Sequence, residues 1–176
     1  MGCGLSVTVR ASTLAVPEKV SIKAADADHA VGVWGQTLIQ VWRGKACAPA
    51  FTAINAVART LVAEAPARAM SLSVVEATSP PPDDVARRIL ATFSDEIVSK
   101  MAVAIVVAEG GGFRASLVRA VGIALTVLMP HRVPFKFVSR VADAWPLLLP
   151  HLPRGTELSE LLNATEEVRG AIGAKG

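Results

Sequence analysis

The chain has no tyrosine, three tryptophans and five phenylalanines, so aromatic residues make up only 5% of it. It lacks the rows of aromatic side chains on which unpaired bases stack. Its positive charge is dispersed: Lys and Arg total 18 against 15 Asp and Glu, for a net +3. The basic pair Arg87-Arg88 shares its segment with Asp83-Asp84 and Asp95-Glu96. A phosphate-backbone binder gathers its charge on one face, so no nucleic-acid partner is expected.

Cysteine is equally scarce. Cys3 and Cys47 are far apart and neither belongs to a CxxC or Cys/His set, with only His29, His131 and His151 available. No metal site or cofactor is expected, and the cysteines read as reduced thiols of a cytoplasmic protein. The longest nearly unbroken apolar run, Ala120 to Met129, is about half of what a membrane-spanning helix needs, so no integral membrane contact is expected. A basic start followed by an apolar core and a cleavage site is missing, which argues against a secretory signal. Met1-Gly2-Cys3-Gly4-Leu5-Ser6 fits the loose myristoylation pattern with a neighbouring cysteine. The Ala/Arg/Val-rich composition, of the kind found in high-GC bacteria, weighs against lipidation.

What the chain does have is alternation. Hydrophobic residues make up 52% of the 176, enough for one domain with a core that needs no disulfide. Short apolar runs at Leu38–Trp42, Met70–Val75, Ala102–Ala108 and Phe135–Val138 are separated by stretches of helical period. The pattern predicts repeated βαβ units: an α/β fold with a single mixed, mostly parallel sheet of about four to six strands flanked by helices. Val20-Ser21-Ile22-Lys23, a turn at Asp26-Ala27-Asp28 and an extended Val31–Arg43 open it as an antiparallel hairpin. Gly32 and Gly35 weaken the early part of that second segment, leaving Thr37–Trp42 as its solid strand.

Helices are expected from Pro49 to Ala65, Pro82 to Val98, Ala115 to about Leu128, and from Val141, with Trp145 and Leu147–Leu149 packed inward. Residues 1–17 read as a loosely held tail or one edge strand at Ser6–Arg10. Residues 18–152 form the α/β domain, and residues 153–176 a polar helix and tail that starts at Thr156, Glu157 and Glu160 and reads as an appendage.

Catalytic constellations are not legible. Gly110-Gly111-Gly112-Phe113-Arg114-Ala115 formally satisfies a dinucleotide fingerprint between a strand and a helix. It does not open the first βαβ unit, and no acidic residue follows at the ribose-binding distance. Backbone N–H groups there, with Glu109, Gly110, Gly111, Gly112 and Arg114, remain a candidate anion or ligand site. Glu76 and Glu109 end neighbouring strands at the carboxyl edge and read as solvated rather than as a catalytic pair. His131 has no nucleophile elbow to serve. Trp34 and Trp42 read as core, with the alternative that they cover an edge strand in a homodimer.

This order of elements resembles the STAS domain, the fold of anti-sigma factor antagonists, and especially the divergent, SpoIIAA-like domains of bacterial signalling proteins. The resemblance covers about Val20 to Leu152. It rests on the Val-rich strand closing at Arg43-Gly44, on the Ala102-to-Gly112 strand and glycine turn, and on Phe135-Lys136-Phe137-Val138 followed by Val141-Ala142-Asp143-Ala144-Trp145. It implies a non-enzymatic cytoplasmic module that docks a protein partner through the Glu76–Pro82 loop and the helix after it. The alternative is small-ligand or anion binding, including a hydrophobic ligand, or an enzyme, at the carboxyl edge of the sheet. The family's phosphorylatable Asp-Ser-Ser-Gly or Asp-Ser-Thr-Gly turn is absent. The corresponding stretch is Glu76-Ala77-Thr78-Ser79-Pro80-Pro81-Pro82-Asp83, where Thr78 or Ser79 holds the position of the switch.

Overall fold

Five of the six strands are visible in the apolar alternation, and the sixth comes from a turn inside the segment expected to be one strand. A computed structural model describes residues 19–81, 85, 88, 89, 92, 96–110 and 135–174. The strands are β1 (Ser21–Ala25), β2 (His29–Trp34), β3 (Thr37–Trp42), β4 (Met70–Val75), β5 (Val103–Ala108) and β6 (Phe135–Val138). They form one sheet in chain order. The β1–β2 and β2–β3 pairs are antiparallel and the remaining three pairs are parallel. The α/β class, mixed sheet and opening antiparallel hairpin are as expected.

Val31–Arg43, read as one extended segment, is instead two strands joined by a two-residue turn at Gly35-Gln36. Gly35 has φ of +57°, the left-handed geometry that tight hairpin turns require and glycine adopts without strain. Gly32 does not weaken β2. A Cβ there would meet Val20 Cγ2 at 3.0 Å, Val168 Cγ2 at 3.1 Å and the Ser21 carbonyl oxygen at 3.2 Å. Its missing side chain is the space that lets a helix lie close on the sheet.

Among the described residues, three complete helices flank the sheet: α1 (Ala48–Glu64), α2 (Val141–Leu148) and α3 (Leu158–Ala171). Period-2 alternation divides the strands between two cores. Ile39 and Val41, Met70, Leu72 and Val74, and Val103, Ile105 and Val107 face α2 and α3, where Ala144, Leu148, Leu161, Ala164 and Val168 are buried against them. Leu38 and Trp42 face α1, against Phe51, Ile54, Ala58 and Leu61. Trp34 and Trp42 are both buried, so they serve the core and do not cover an edge. Edge strand β1 carries Lys23 at a break in register between Ile22 and Ala24, a charge and an irregularity that discourage pairing with another chain.

The chain beyond residue 152 departs from the appendage expectation. The helix begins one residue later than Thr156 suggested, with Glu157 as N-cap in a capping box: Glu160 accepts the Glu157 amide at 2.6 Å. Leu161, Ala164, Thr165 and Val168 then lie buried on the sheet. Residues 1–17, the greater part of the expected Pro82–Val98 helix, the expected Ala115–Leu128 helix, Gly111, Gly112, Arg114 and His131 lie outside the described residues.

Candidate functional site

Three parallel strands end in step. Trp42 pairs with Val75 and Val75 with Ala108, so the next residues, Arg43, Glu76 and Glu109, share one row. The ladder runs one step further, the Glu76 amide donating to the Trp42 carbonyl and the Glu109 amide to the Val75 carbonyl, each at 2.9 Å. Side-chain alternation turns all three toward the face that carries α3. From the last turn of α3, Arg169 reaches into the same row.

The four side chains make one network. Arg43 donates to Glu76 through Nε at 2.8 Å and Nη2 at 3.2 Å. Arg169 Nη1 donates to Glu76 Oε1 at 2.6 Å and to Glu109 Oε2 at 3.1 Å, and Nη2 to Glu109 Oε1 at 2.8 Å. Its Nε donates to Glu166 at 3.1 Å. The forked guanidinium thus bridges two strand ends at once, which a point-charge ammonium would not do in the same geometry. Glu76 is held below its ordinary carboxyl value of 4.5, first by the Arg43 hydrogen bond, with Arg169 adding to it and burial opposing. Burial pulls the Arg169 pKa down, but its hydrogen bonds to Glu109 and Glu76 and the charge of Glu166 raise it above the ordinary range.

The loop after β4 is pinned to the loop after β3. Thr78 Oγ1 donates to the Arg43 carbonyl at 3.3 Å and Ser79 Oγ to the Gly44 carbonyl at 3.1 Å, while the Ser79 amide donates to the Glu76 carbonyl at 3.0 Å. Ser79 is buried; Thr78, Pro80 and Pro81 are exposed. Val85, four residues beyond Pro81, is 56% exposed, the largest exposure among the large hydrophobic residues described. Gly110 follows Glu109 with φ of +89°, and a Cβ there would come within 2.8 Å of Ala77, so it lets the β5 exit pass close to the β4 exit.

At the β1–β2 turn, Asp26 Oδ1 accepts the amides of Asp28 at 2.7 Å and His29 at 2.8 Å. Burial pushes the Asp26 carboxyl up, but these amides and the neighbouring His29 together hold it below its ordinary 3.8. The His29 ring, 5% exposed as a residue, stacks on Trp42 with centroids 5.4 Å apart. Its Nδ1 lies 2.8 Å from Asp26 Oδ1, yet neither ring nitrogen makes an aligned hydrogen bond.

Of the residues expected to matter, Thr78, Ser79, Glu109 and Gly110 come together at one edge. Glu76 and Glu109, read as solvated, are instead half-buried partners of one arginine. Arg169, 93 positions from Glu76, was not singled out from the sequence. Among the described residues no group of three or more His, Cys, Asp and Glu is placed to hold a metal ion, and no helix is long and apolar enough to cross a membrane. Comparisons with protein-family models, with curated proteins and with solved structures find no match to this chain.

The lowered Glu76 value sets a pH dependence. A carboxyl whose folded pKa lies below its unfolded one contributes stability that is present above the unfolded value and lost as pH falls through the folded value. The thermal midpoint is therefore expected to fall as pH drops below about 4.5. Glu76→Gln should start lower at pH 7 and fall less steeply, because of the described carboxyls held below their ordinary values only the more exposed Asp26 and Asp143 remain. Parallel curves for the two proteins, read by circular dichroism from pH 7 to 3, would show that Glu76 contributes nothing to the acid limb.

Proposed function

We propose that this chain is a non-enzymatic, STAS-like docking module of bacterial signalling, and that its contact face is the Glu76–Pro81 loop together with Val85. The observation that carries this reading is Val85, a large apolar side chain 56% exposed just beyond the exposed Pro80 and Pro81. An exposed apolar side chain beside exposed prolines is surface that a partner can remove from water. Thr78 and Ser79 tie the loop before Val85 to the neighbouring loop, their hydroxyls donating to the Arg43 and Gly44 carbonyls. The saturated Arg43–Glu76–Arg169–Glu109 network supports docking over chemistry, since each carboxylate already accepts from an arginine.

The position of Ser79 gives the reading a switch. A charge there would break its bond to the Gly44 carbonyl and place a negative group in a buried position. The test is affinity capture from host lysate with wild type, Val85→Asp and Ser79→Asp. Capture of a specific protein held by wild type is expected to be reduced at least about tenfold by Val85→Asp, which would bury an unpaired charge in the contact, and by Ser79→Asp. Capture unchanged in Val85→Asp would place the contact face elsewhere. Loss in Val85→Asp alone would keep the docking face and remove the switch.

A further inference from the structure

We propose that Arg169 is a positioning residue for the loop after β4, joining the C-terminal helix and that loop into one mechanical unit. Its functional meaning rests on the docking reading above. The argument is one of connectivity. Arg43, Gly44, Glu76, Thr78 and Ser79 hold one another through the hydroxyl, amide and guanidinium contacts already given, and all five belong to the two loops that leave β3 and β4. Those contacts bind loop to loop. The described bond that leads out of this set to a helix is the 2.6 Å contact from Arg169 Nη1 to Glu76 Oε1.

Position decides which arginine governs. The Arg43 side chain is 40% exposed and sits in a loop itself. That of Arg169 is 20% exposed and stems from a helix anchored by Leu161, Ala164 and Val168. The chain just after α3 is anchored too, the Gly173 amide donating to the Asp26 carbonyl at 2.8 Å. Glu76 is the residue whose carbonyl receives the Ser79 amide, so holding its carboxylate fixes the start of the turn that presents Thr78, Pro80 and Pro81. Glu109 serves as the second anchor of Arg169, at the end of the neighbouring strand, and its described side-chain hydrogen bonds go to Arg169.

That difference separates a positioning role from a staple. Amide hydrogen exchange at Ser79 is measured by NMR on the ¹⁵N-labelled full chain, for wild type, Arg169→Gln, Glu109→Gln and Arg169→Lys, well below the melting temperature. Arg169→Gln is expected to speed Ser79 exchange about tenfold or more through local opening. Glu109→Gln, which keeps the Arg169–Glu76 bond, should change it less than about twofold even where its midpoint falls comparably. Arg169→Lys should recover most of the protection through a single bond to Glu76. Unchanged Ser79 exchange in Arg169→Gln would overturn the proposal. So would equal acceleration in Glu109→Gln, since Arg169 would then be only a staple. If Arg169→Gln does not fold, Glu76→Gln, which weakens the bonds of both arginines, is read against Arg43→Gln: faster Ser79 exchange in Glu76→Gln than in Arg43→Gln is expected, and equal acceleration in the two would overturn the proposal. No partner is present in this measurement, so a failed capture experiment would sink the docking reading and leave this result standing. Normal capture with unchanged exchange would do the reverse.

Discussion

Val107→Asp is expected to leave the chain without a cooperative melt, while Val106→Asp, one residue away, keeps one. Both sit in the apolar run of β5, and composition alone does not tell them apart. The structure does. Val107 is fully buried among Val74, Val141 and Ala144, on the face covered by α2 and α3. A carboxylate there has no partner, and burying an unpaired charge costs several kcal/mol, about half or more of the stability of an ordinary domain. Val106 points to the other face and is only half-buried, with Ser73 beside it in register on β4. An Asp there keeps contact with water and should cost about 1–2 kcal/mol, within the usual range for a point substitution. An all-apolar run singles out neither residue; strand parity puts the unfolding substitution at Val107. Denaturant melts of the two variants decide it. A cooperative Val107→Asp transition near the wild-type midpoint would mean that β5 does not sit between two layers.

The same parity explains how much was readable beforehand. The runs Met70–Val75 and Phe135–Val138 coincide with strands because β-branched and apolar residues bounded by proline and turn residues have few other stable arrangements in a core. The split of Val31–Arg43 has no local signature: Gly35-Gln36 lacks the Asn-Gly or Asp-Gly pair of a two-residue hairpin, and glycine in a strand pattern reads as weakness. At Gly32 that reading fails: the absent Cβ is what admits Val168 of α3.

The candidate site was legible by halves. Glu76 and Glu109 could be placed at the carboxyl edge because each follows an apolar run. That Arg43 stands in the same row needs the strand order and register, Trp42 with Val75 with Ala108, which a local pattern does not contain. Arg169 was out of reach for the same reason. In a polar helix with Glu166 three residues before it, an arginine reads as one half of an ordinary surface pair. Only the docking of α3 turns its guanidinium toward two strand ends. A long-range ion network has no local signature, whereas strands and helix caps do.

Deleting residues 156–176 is expected to abolish cooperative folding, although this segment is polar overall and reads as an appendage. Leu161 and Val168 are fully buried and Ile172 nearly so, all in the cluster that holds Trp34, Ile39 and Val41. Burying three such aliphatic side chains contributes about 5–9 kcal/mol, comparable to the net stability of a whole domain. Deletion also strips cover from Trp34 and removes Arg169, leaving Glu76 to Arg43 alone and Glu109 without the guanidinium it holds in the fold. The hydrophobic and electrostatic losses fall on the same side of the sheet, so α2 on its own does not offset them. Thermal and urea melts of a chain ending at Gly155 should therefore show no sigmoidal transition. Adding a synthetic peptide of residues 156–174 should restore part of the signal in proportion to its concentration, because the sheet face it covers is already specified by β2 and β3. A truncated chain that melts cooperatively within a few degrees of wild type would show that α3 rests on the fold without completing it. The coupling assigned to Arg169 would then lose its anchor.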